Sequence, residues 1–416
     1  MRSIIACMLV ACASVAFAQD VLIRGATVYT VSEQGDLPDT DVLIRDGKIE
    51  AIGRALTATP GTPTIDAKGR PLTPGLFGGL SAIGIEEVSL EPTTADANLL
   101  LNAPAFETEW RPEFDVTLAY NPRSVLVPVA RIEGLTWTVL TPGSVPGGNF
   151  LAGQGAAVTL DGRYDAVLDG SRALFINLGG DMNILSDGSR AGQWMLLEQA
   201  IREARARAPD DQNPLLHPLG REALAKYLAG GRVIFHVSRA SDIRRAVAFA
   251  KRHGMKPVIA GGAEAWVVAD ELAAANVPVL LDALENLPST FDAIGARLDN
   301  AALLHRAGVH IAFTQFGESH NARKIRQLAG NAVAHGLPKD AALEALTTRP
   351  AEIFGQGANR GRIARGQVAD LVLWSGDPLE VTTMAEQVWI GGRAIEMRSR
   401  QSELRDRYLK RLRGAQ

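Results

Sequence analysis

Hydrophobic and polar positions alternate with the period of a β-strand near both ends of the chain. These strand patterns cover residues 21–25, 26–31, 41–49, 369–374 and 387–393. Asp46-Gly47 lies between alternating apolar residues and predicts a hairpin turn, and a glycine pair accompanies the last pattern. Two strand-rich ends around a different middle predict one composite β-sandwich built from residues 19–72 and 360–397.

The middle of the chain alternates between short apolar runs and amphipathic segments. The apolar runs, each of strand length, cover residues 136–140, 173–178, 233–237, 257–260, 278–281 and 310–314. The segments with helical period cover residues 194–207, 220–228, 241–253 and 266–275. This alternation favours parallel βα units, so the sequence predicts an α/β fold with a (β/α)8 TIM barrel over residues 73–359. Residues 86–125 lack the alternation, and we interpret them as an insertion after the first barrel strand.

Residues 1–18 have the pattern of a secretory signal peptide. Arg2 supplies the positive charge, residues 4–17 are apolar, and Ala16-Phe17-Ala18 resembles a cleavage site. Because the apolar run is shorter than the ~20 residues of a membrane span, we expect a periplasmic or secreted protein. Both cysteines, Cys7 and Cys12, would be removed with the peptide, which leaves no disulfide. A lipidated Cys12 is the alternative.

The charge of the chain limits the classes of partner. Its 416 residues include 43 basic and 46 acidic side chains, a net charge of −3, so nucleic acid is not an expected partner. Basic residues concentrate only near the carboxyl end, where residues 398–416 predict a basic C-terminal helix. We expect a solvated helix packed through its leucines (Leu404, Leu409 and Leu412) rather than a membrane-bound one.

Four segments of the chain resemble the amidohydrolase superfamily and occur in the family's order. They are residues 41–53, 65–76, 347–355 and 366–374. The resemblance is closest to the branch that includes imidazolonepropionase-like and dipeptidase-like enzymes. It implies a TIM barrel, a small composite β-sandwich and metal-dependent hydrolysis of C–N bonds.

Most of the metal ligands that this resemblance implies are replaced. Where the family has a His-x-His pair, this chain has Leu80 and Ala82. The histidine of barrel strand five is kept as His236, whereas Gly261 and Gln315 replace the strand-six histidine and the strand-eight aspartate. A bridging carboxylated lysine is also missing, because residues 151–197 contain no Lys or Glu. Since a catalytic zinc takes about three protein ligands, we expect no cofactor and only His236 as a retained catalytic position.

Three hypotheses for function follow from these substitutions. The chain is a pseudoenzyme that binds a small molecule or assembles with a partner, as a homo-oligomer for example. Alternatively, it is an active hydrolase that holds zinc in an atypical site of His236, Glu318 and His320, with Glu264 as a further ligand. In the third hypothesis it is a subunit that stabilises an intact amidohydrolase paralogue in a hetero-oligomer. The residues expected at the pocket are Gly261, Glu264, Gln315, Glu318 and His320.

Overall fold

A computed structural model describes residues 20–99, 110–146, 148–186, 188–206, 214–285 and 290–414. The strands are β1 (Val21–Tyr29), β2 (Asp36–Arg45), β3 (Lys48–Gly53), β4 (Thr64–Asp66), β5 (Pro71–Pro74), β6 (Leu76–Ser81), β7 (Leu135–Leu140), β8 (Leu151–Gly155), β9 (Ala157–Thr159), β10 (Ala173–Asn177), β11 (Arg232–Val237), β12 (Lys256–Gly261), β13 (Val279–Leu281), β14 (Ile311–Phe313), β15 (Leu371–Trp374), β16 (Ala385–Ile390) and β17 (Arg393–Ala394). The helices are α1 (Leu126–Arg131), α2 (Arg190–Arg205), α3 (Pro218–Tyr227), α4 (Ala240–His253), α5 (Ala269–Ala274), α6 (Asn300–Arg306), α7 (Ile325–Ala334), α8 (Lys339–Leu346), α9 (Thr348–Ile353) and α10 (Arg400–Gly414). The proposed signal peptide, with Cys7 and Cys12, lies outside the described residues.

Strands from both ends of the chain share one eight-stranded sheet, the terminal sheet. Its order is β17-β16-β15-β5-β1-β2-β3, and β4 pairs with β1. The two ends of the chain meet where β5 and β15 run antiparallel. The β2–β3 hairpin turns at Asp46 and Gly47, whose φ angles of +49° and +78° suit the type I′ turn that the sequence predicts. One shared sheet is therefore present, and its arrangement as a sandwich stays a prediction.

The central strands form two further sheets. Strands β10 to β14 run parallel in chain order, and β8 joins them antiparallel at the edge. Strands β6 and β7 are parallel and, with antiparallel β9, form a three-stranded sheet. All six central apolar runs predicted as strands are confirmed. The fold is thus mixed α/β, whereas the closure of these strands into one eight-stranded barrel stays a prediction.

Side chains from the two central sheets meet in one buried cluster. Phe77 and Trp137 come from the three-stranded sheet, with ring centroids 4.5 Å apart, and Phe175, Ile234 and Leu280 come from the six-stranded sheet. Burial of this shared apolar surface holds the two sheets together. The carboxyl ends of β6, β10, β11 and β14 consequently open toward the same space.

The carboxyl-terminal helix forms as predicted, and of its three leucines only Leu404 is half-buried. Helix α10 has no buried residue, and Leu409 and Leu412 are 41% and 67% exposed. A helical pattern of leucines shows which residues share a face, yet it does not show whether another surface covers that face. Among the described helices, none is both long and apolar enough to cross a membrane.

Candidate functional site

A cavity of about 730 Å³ lies at the carboxyl ends of the central strands. Its lining comes from the last residues of β6, β10, β11 and β12 and from the segments that follow β7, β13 and β14. In parallel α/β folds, ligands bind outside the carboxyl ends of the strands. This cavity is therefore the candidate functional site.

His236 enters the cavity because of the alternation along β11. Ile234 and His236 face the cavity, whereas Val233 and Phe235 pack in the outer core on the opposite face. The imidazole stacks on the Phe316 ring, with centroids 4.7 Å apart and an interplanar angle of 17°. The ring can be reached from the cavity but protein surrounds it, and this desolvation lowers its pKa, an effect that the charge of Asp181 opposes. Desolvation therefore favours the neutral imidazole, in which one ring nitrogen donates a hydrogen bond and the other accepts one.

The positions where the resemblance predicts metal ligands collect around His236. Leu80, Ala82 and Gln315 line the cavity with it. Gly261 lies directly beside it: a β-carbon at this position would be 3.1 Å from Cδ2 and 3.3 Å from Nε2 of His236. The Gln315 side-chain amide donates a hydrogen bond to the Phe316 carbonyl oxygen. Of the five positions, only His236 keeps a side chain of the type that the family uses as a ligand, because Gln315 offers no more than a neutral amide oxygen.

Hydrogen bonds fix the backbone at Leu80 and Ala82. The Leu80 N–H donates to Thr314 Oγ1 (2.8 Å), and the Ala82 N–H donates to Ser319 Oγ (3.0 Å). Thr314 and Ser319 follow β14, so these two bonds tie the end of β6 to the other central sheet. The two positions where the family has histidines are thus held in place although their side chains carry no ligand atom.

Four of the five predicted pocket residues lie outside the cavity lining: Gly261, which lies against His236, and Glu264, Glu318 and His320. The Glu264 carboxylate accepts a hydrogen bond from the Ala240 N–H (2.9 Å) at the start of α4, so it caps that helix. Glu318 and His320 are exposed residues at the short 3-10 helix after β14. Within the described ranges, no group of three or more His, Cys, Asp or Glu side chains could hold a metal ion. The structure therefore does not assemble His236, Glu318 and His320 into one ligand set.

Sequence reasoning missed the carboxylates of the cavity, which we call the acidic rim: Glu86, Asp181, Asp282, Glu285 and Asp292. Burial raises the pKa of Asp282 and, with the neighbouring Asp282 charge, that of Glu285. Burial and the charge of Glu318 likewise raise the pKa of Glu86. Their position in the sequence could have indicated them, because four of these residues follow β6, β10 or β13 by one to five residues.

Known proteins resemble this chain at two levels. A model of the Amidohydrolase family matches residues 330–395. The amidohydrolase tasK of Hapsidospora irregularis is 43% identical over 74 residues, 18% of this chain and 8% of that protein. A dihydroorotase of Citrifermentans bemidjiense is 47% identical over 58 residues, 14% of this chain and 13% of that protein. These matches thus span far less than two thirds of either curated relative.

The structural likeness extends over nearly the whole chain. An amidohydrolase from Thermotoga maritima MSB8 superposes with a TM-score of 0.78 at 25% identity, and the match covers 91% of this chain and 100% of that one. A triazine hydrolase superposes with a TM-score of 0.53 at 18% identity, which is a likeness of fold alone. The cavity therefore lies in a scaffold similar to that of the Thermotoga maritima amidohydrolase.

Proposed function

The chain belongs to the amidohydrolase superfamily, and from this premise we propose that it has lost the family's metal centre and uses the cavity to bind a small molecule. The observation that carries the proposal is the surrounding of His236. Leu80, Ala82 and Gln315 share its cavity, and Gly261 lies against its ring. On this proposal, the chain keeps a hydrolase scaffold, and ligand binding in the cavity replaces metal-dependent hydrolysis.

The residues present do not fit the family's metal. A catalytic zinc takes roughly three protein ligands and leaves one position for water. Leucine, alanine and glycine have no side-chain ligand atom, and Gln315 cannot act as the general base that an aspartate provides. His236 alone would have to hold the ion in competition with water. The residues present therefore support no catalytic step on a metal at this site.

The same proposal includes a closed (β/α)8 barrel and a composite sandwich. Barrel closure is supported by the bonds from Leu80 and Ala82 to residues after β14 and by the shared cluster of Phe77 and Ile234. A sandwich formed by both chain ends is supported by the β5–β15 pairing in the terminal sheet.

We also propose that the protein is exported, with Ala16-Phe17-Ala18 as the motivation. N-terminal sequencing of protein from its native host should begin at Gln19 or its cyclised form. An intact Met1 or a lipidated Cys12 would overturn this assignment. Co-purification from that host would separate a stand-alone binding protein from a subunit that accompanies an intact paralogue.

Elemental analysis tests the loss of the metal centre. Protein purified without chelator or nickel should contain substoichiometric zinc and show no turnover of dipeptides or cyclic amides, because only one of five ligand positions has a donor. An amidohydrolase with an intact His-x-His pair is the control, purified and assayed in parallel. One tightly held zinc per chain together with chelator-sensitive hydrolysis would show that the proposal is wrong.

A further inference from the structure

The cavity is strongly unbalanced in charge. Five carboxylates form the acidic rim, and the described residues that line the cavity include neither Lys nor Arg. The one basic side chain of the lining is His236, and a single positive charge there would not balance five carboxylates. A ligand that enters this cavity therefore meets a negative potential that no lining cation offsets.

Only two of the five carboxylates have compensating partners among the described residues. Asp292 pairs with Arg190 and accepts the Gly180 N–H (2.6 Å). Asp282 accepts the Leu284 N–H (2.9 Å). The carboxylates of Glu86, Asp181 and Glu285 have neither an ion pair nor a side-chain hydrogen bond within the ranges described. Their charges are left for solvent or a ligand to compensate.

Apolar and acidic lining residues lie at different depths of the cavity. Leu80, Phe175 and Ile234 belong to strands and are buried, so they form the deep wall. Glu86, Asp181 and Glu285 come after strand ends and are more exposed than these apolar residues. The cavity thus combines an apolar interior with an acidic entrance.

Resting on the proposed function, we propose that the cavity binds a small organic cation, an alkylammonium or guanidinium group joined to an apolar moiety. The cationic group lies at the acidic rim, where it compensates the unpaired carboxylates, and the apolar moiety packs against the deep wall. A divalent metal fits less well, because it needs several carboxylate oxygens that converge on one point. Within the described ranges no such group of three side chains exists.

Three probes with one aromatic skeleton test the role of charge: 3-phenylpropylammonium, the neutral 3-phenylpropan-1-ol and the anionic 3-phenylpropanoate. Isothermal titration calorimetry on the whole mature protein should give an ammonium affinity at least about tenfold above that of the alcohol. Added salt should weaken the binding of 3-phenylpropylammonium, and the anionic 3-phenylpropanoate should not bind. Equal affinities for the ammonium and the alcohol, or no saturable ammonium binding at millimolar concentration, would overturn the inference.

Variants of the acidic rim test which carboxylates favour binding of the ammonium probe. Glu285→Gln and Asp181→Asn should each weaken ammonium binding several-fold and leave alcohol binding unchanged, since each removes a charge and keeps the shape. Glu222→Gln, an exposed change on α3 outside the cavity, is the matched control and should change neither affinity. Melting curves of each variant verify folding, and unchanged ammonium binding in both folded rim variants contradicts the proposal. Zinc content and turnover test the proposed function separately. A protein that lacks zinc but binds the charged and neutral probes with equal affinity would refute this inference and leave the proposed function standing.

Discussion

Trp374 of the terminal sheet and the carboxylates of the cavity differ in how their polar groups are satisfied. In the sheet, Trp374 is fully buried, and its indole N–H donates to Thr73 Oγ1 (2.9 Å). Around the cavity, Glu86 and Glu285 have raised pKa values and no partners among the described residues. Buried and paired groups stabilise a fold, whereas uncompensated charges reduce its stability and leave it able to bind ligands. Different residues therefore stabilise the fold and remain available to a ligand in this chain.

The largest expected effect comes from dividing the terminal sheet. Deletion of residues 357–416 removes β15, β16 and β17 and exposes the paired edge of β5. The remaining chain should aggregate and lose its cooperative thermal transition, because an apolar sheet face and an unpaired edge become exposed. Size-exclusion chromatography and a circular-dichroism melt measure the outcome.

Deletion of residues 400–416 is the matched control for this truncation. It removes only α10, which has no buried residue, so the melting temperature should stay within about 2 °C of the full chain. If the longer deletion instead gave a monodisperse protein that melts cooperatively, the two ends of the chain would not form one folding unit.

The smallest expected effect lies at the acidic rim. Because burial and Asp282 raise the pKa of Glu285, its folded form binds a proton more readily than its unfolded form, so its charge destabilises the fold at neutral pH. Glu285→Gln should therefore raise the melting temperature at pH 7 by about 1 °C. This gain should shrink as the pH falls from the raised pKa to the ordinary value of glutamate, where wild-type Glu285 is itself protonated.

Melting curves at pH 7 and pH 4 for wild type, Glu285→Gln and the exposed Glu222→Gln variant check this sign. A Glu285→Gln variant that melts below wild type at pH 7 would mean that the carboxylate stabilises the fold. Glu285 would then not differ from the paired groups of the terminal sheet in its effect on stability. If Glu222→Gln raised the melting temperature as much as Glu285→Gln, the effect would not depend on the position of Glu285 at the acidic rim.

The sequence predicted the strands well because their physical signal is local. Doubly buried strands such as β11 need continuous apolar runs, and a type I′ turn needs residues like Asp46-Gly47 that tolerate positive φ. The rim carboxylates gave only a positional signal, since most of them follow the end of a strand. Asp181 and Glu285 are far apart in the chain and line one cavity because parallel strands bring their carboxyl ends together.

Side-chain direction was the other information that the sequence lacked. Glu264 follows β12 in the manner of a site residue, but its carboxylate turns back to cap α4. An N-terminal cap and a cavity ligand require the same kind of side chain, so residue type could not separate the two roles. The leucines of α10 pose the same difficulty, because periodicity defines a face without defining what covers it.

The backbone at Gly261 has a consequence for the history of this protein. Its φ of +89° is a conformation that residues with a β-carbon rarely adopt, and a new side chain there would also press against His236. A histidine at this position would carry strain of order 1–3 kcal/mol unless the peptide rotated as well. Introduction of a histidine at position 261 therefore requires two coordinated changes, one in the side chain and one in the backbone. Under the proposed loss of the metal centre, this glycine would act as an evolutionary ratchet: a lineage whose backbone had settled around it could explore new ligands more easily than regain a metal.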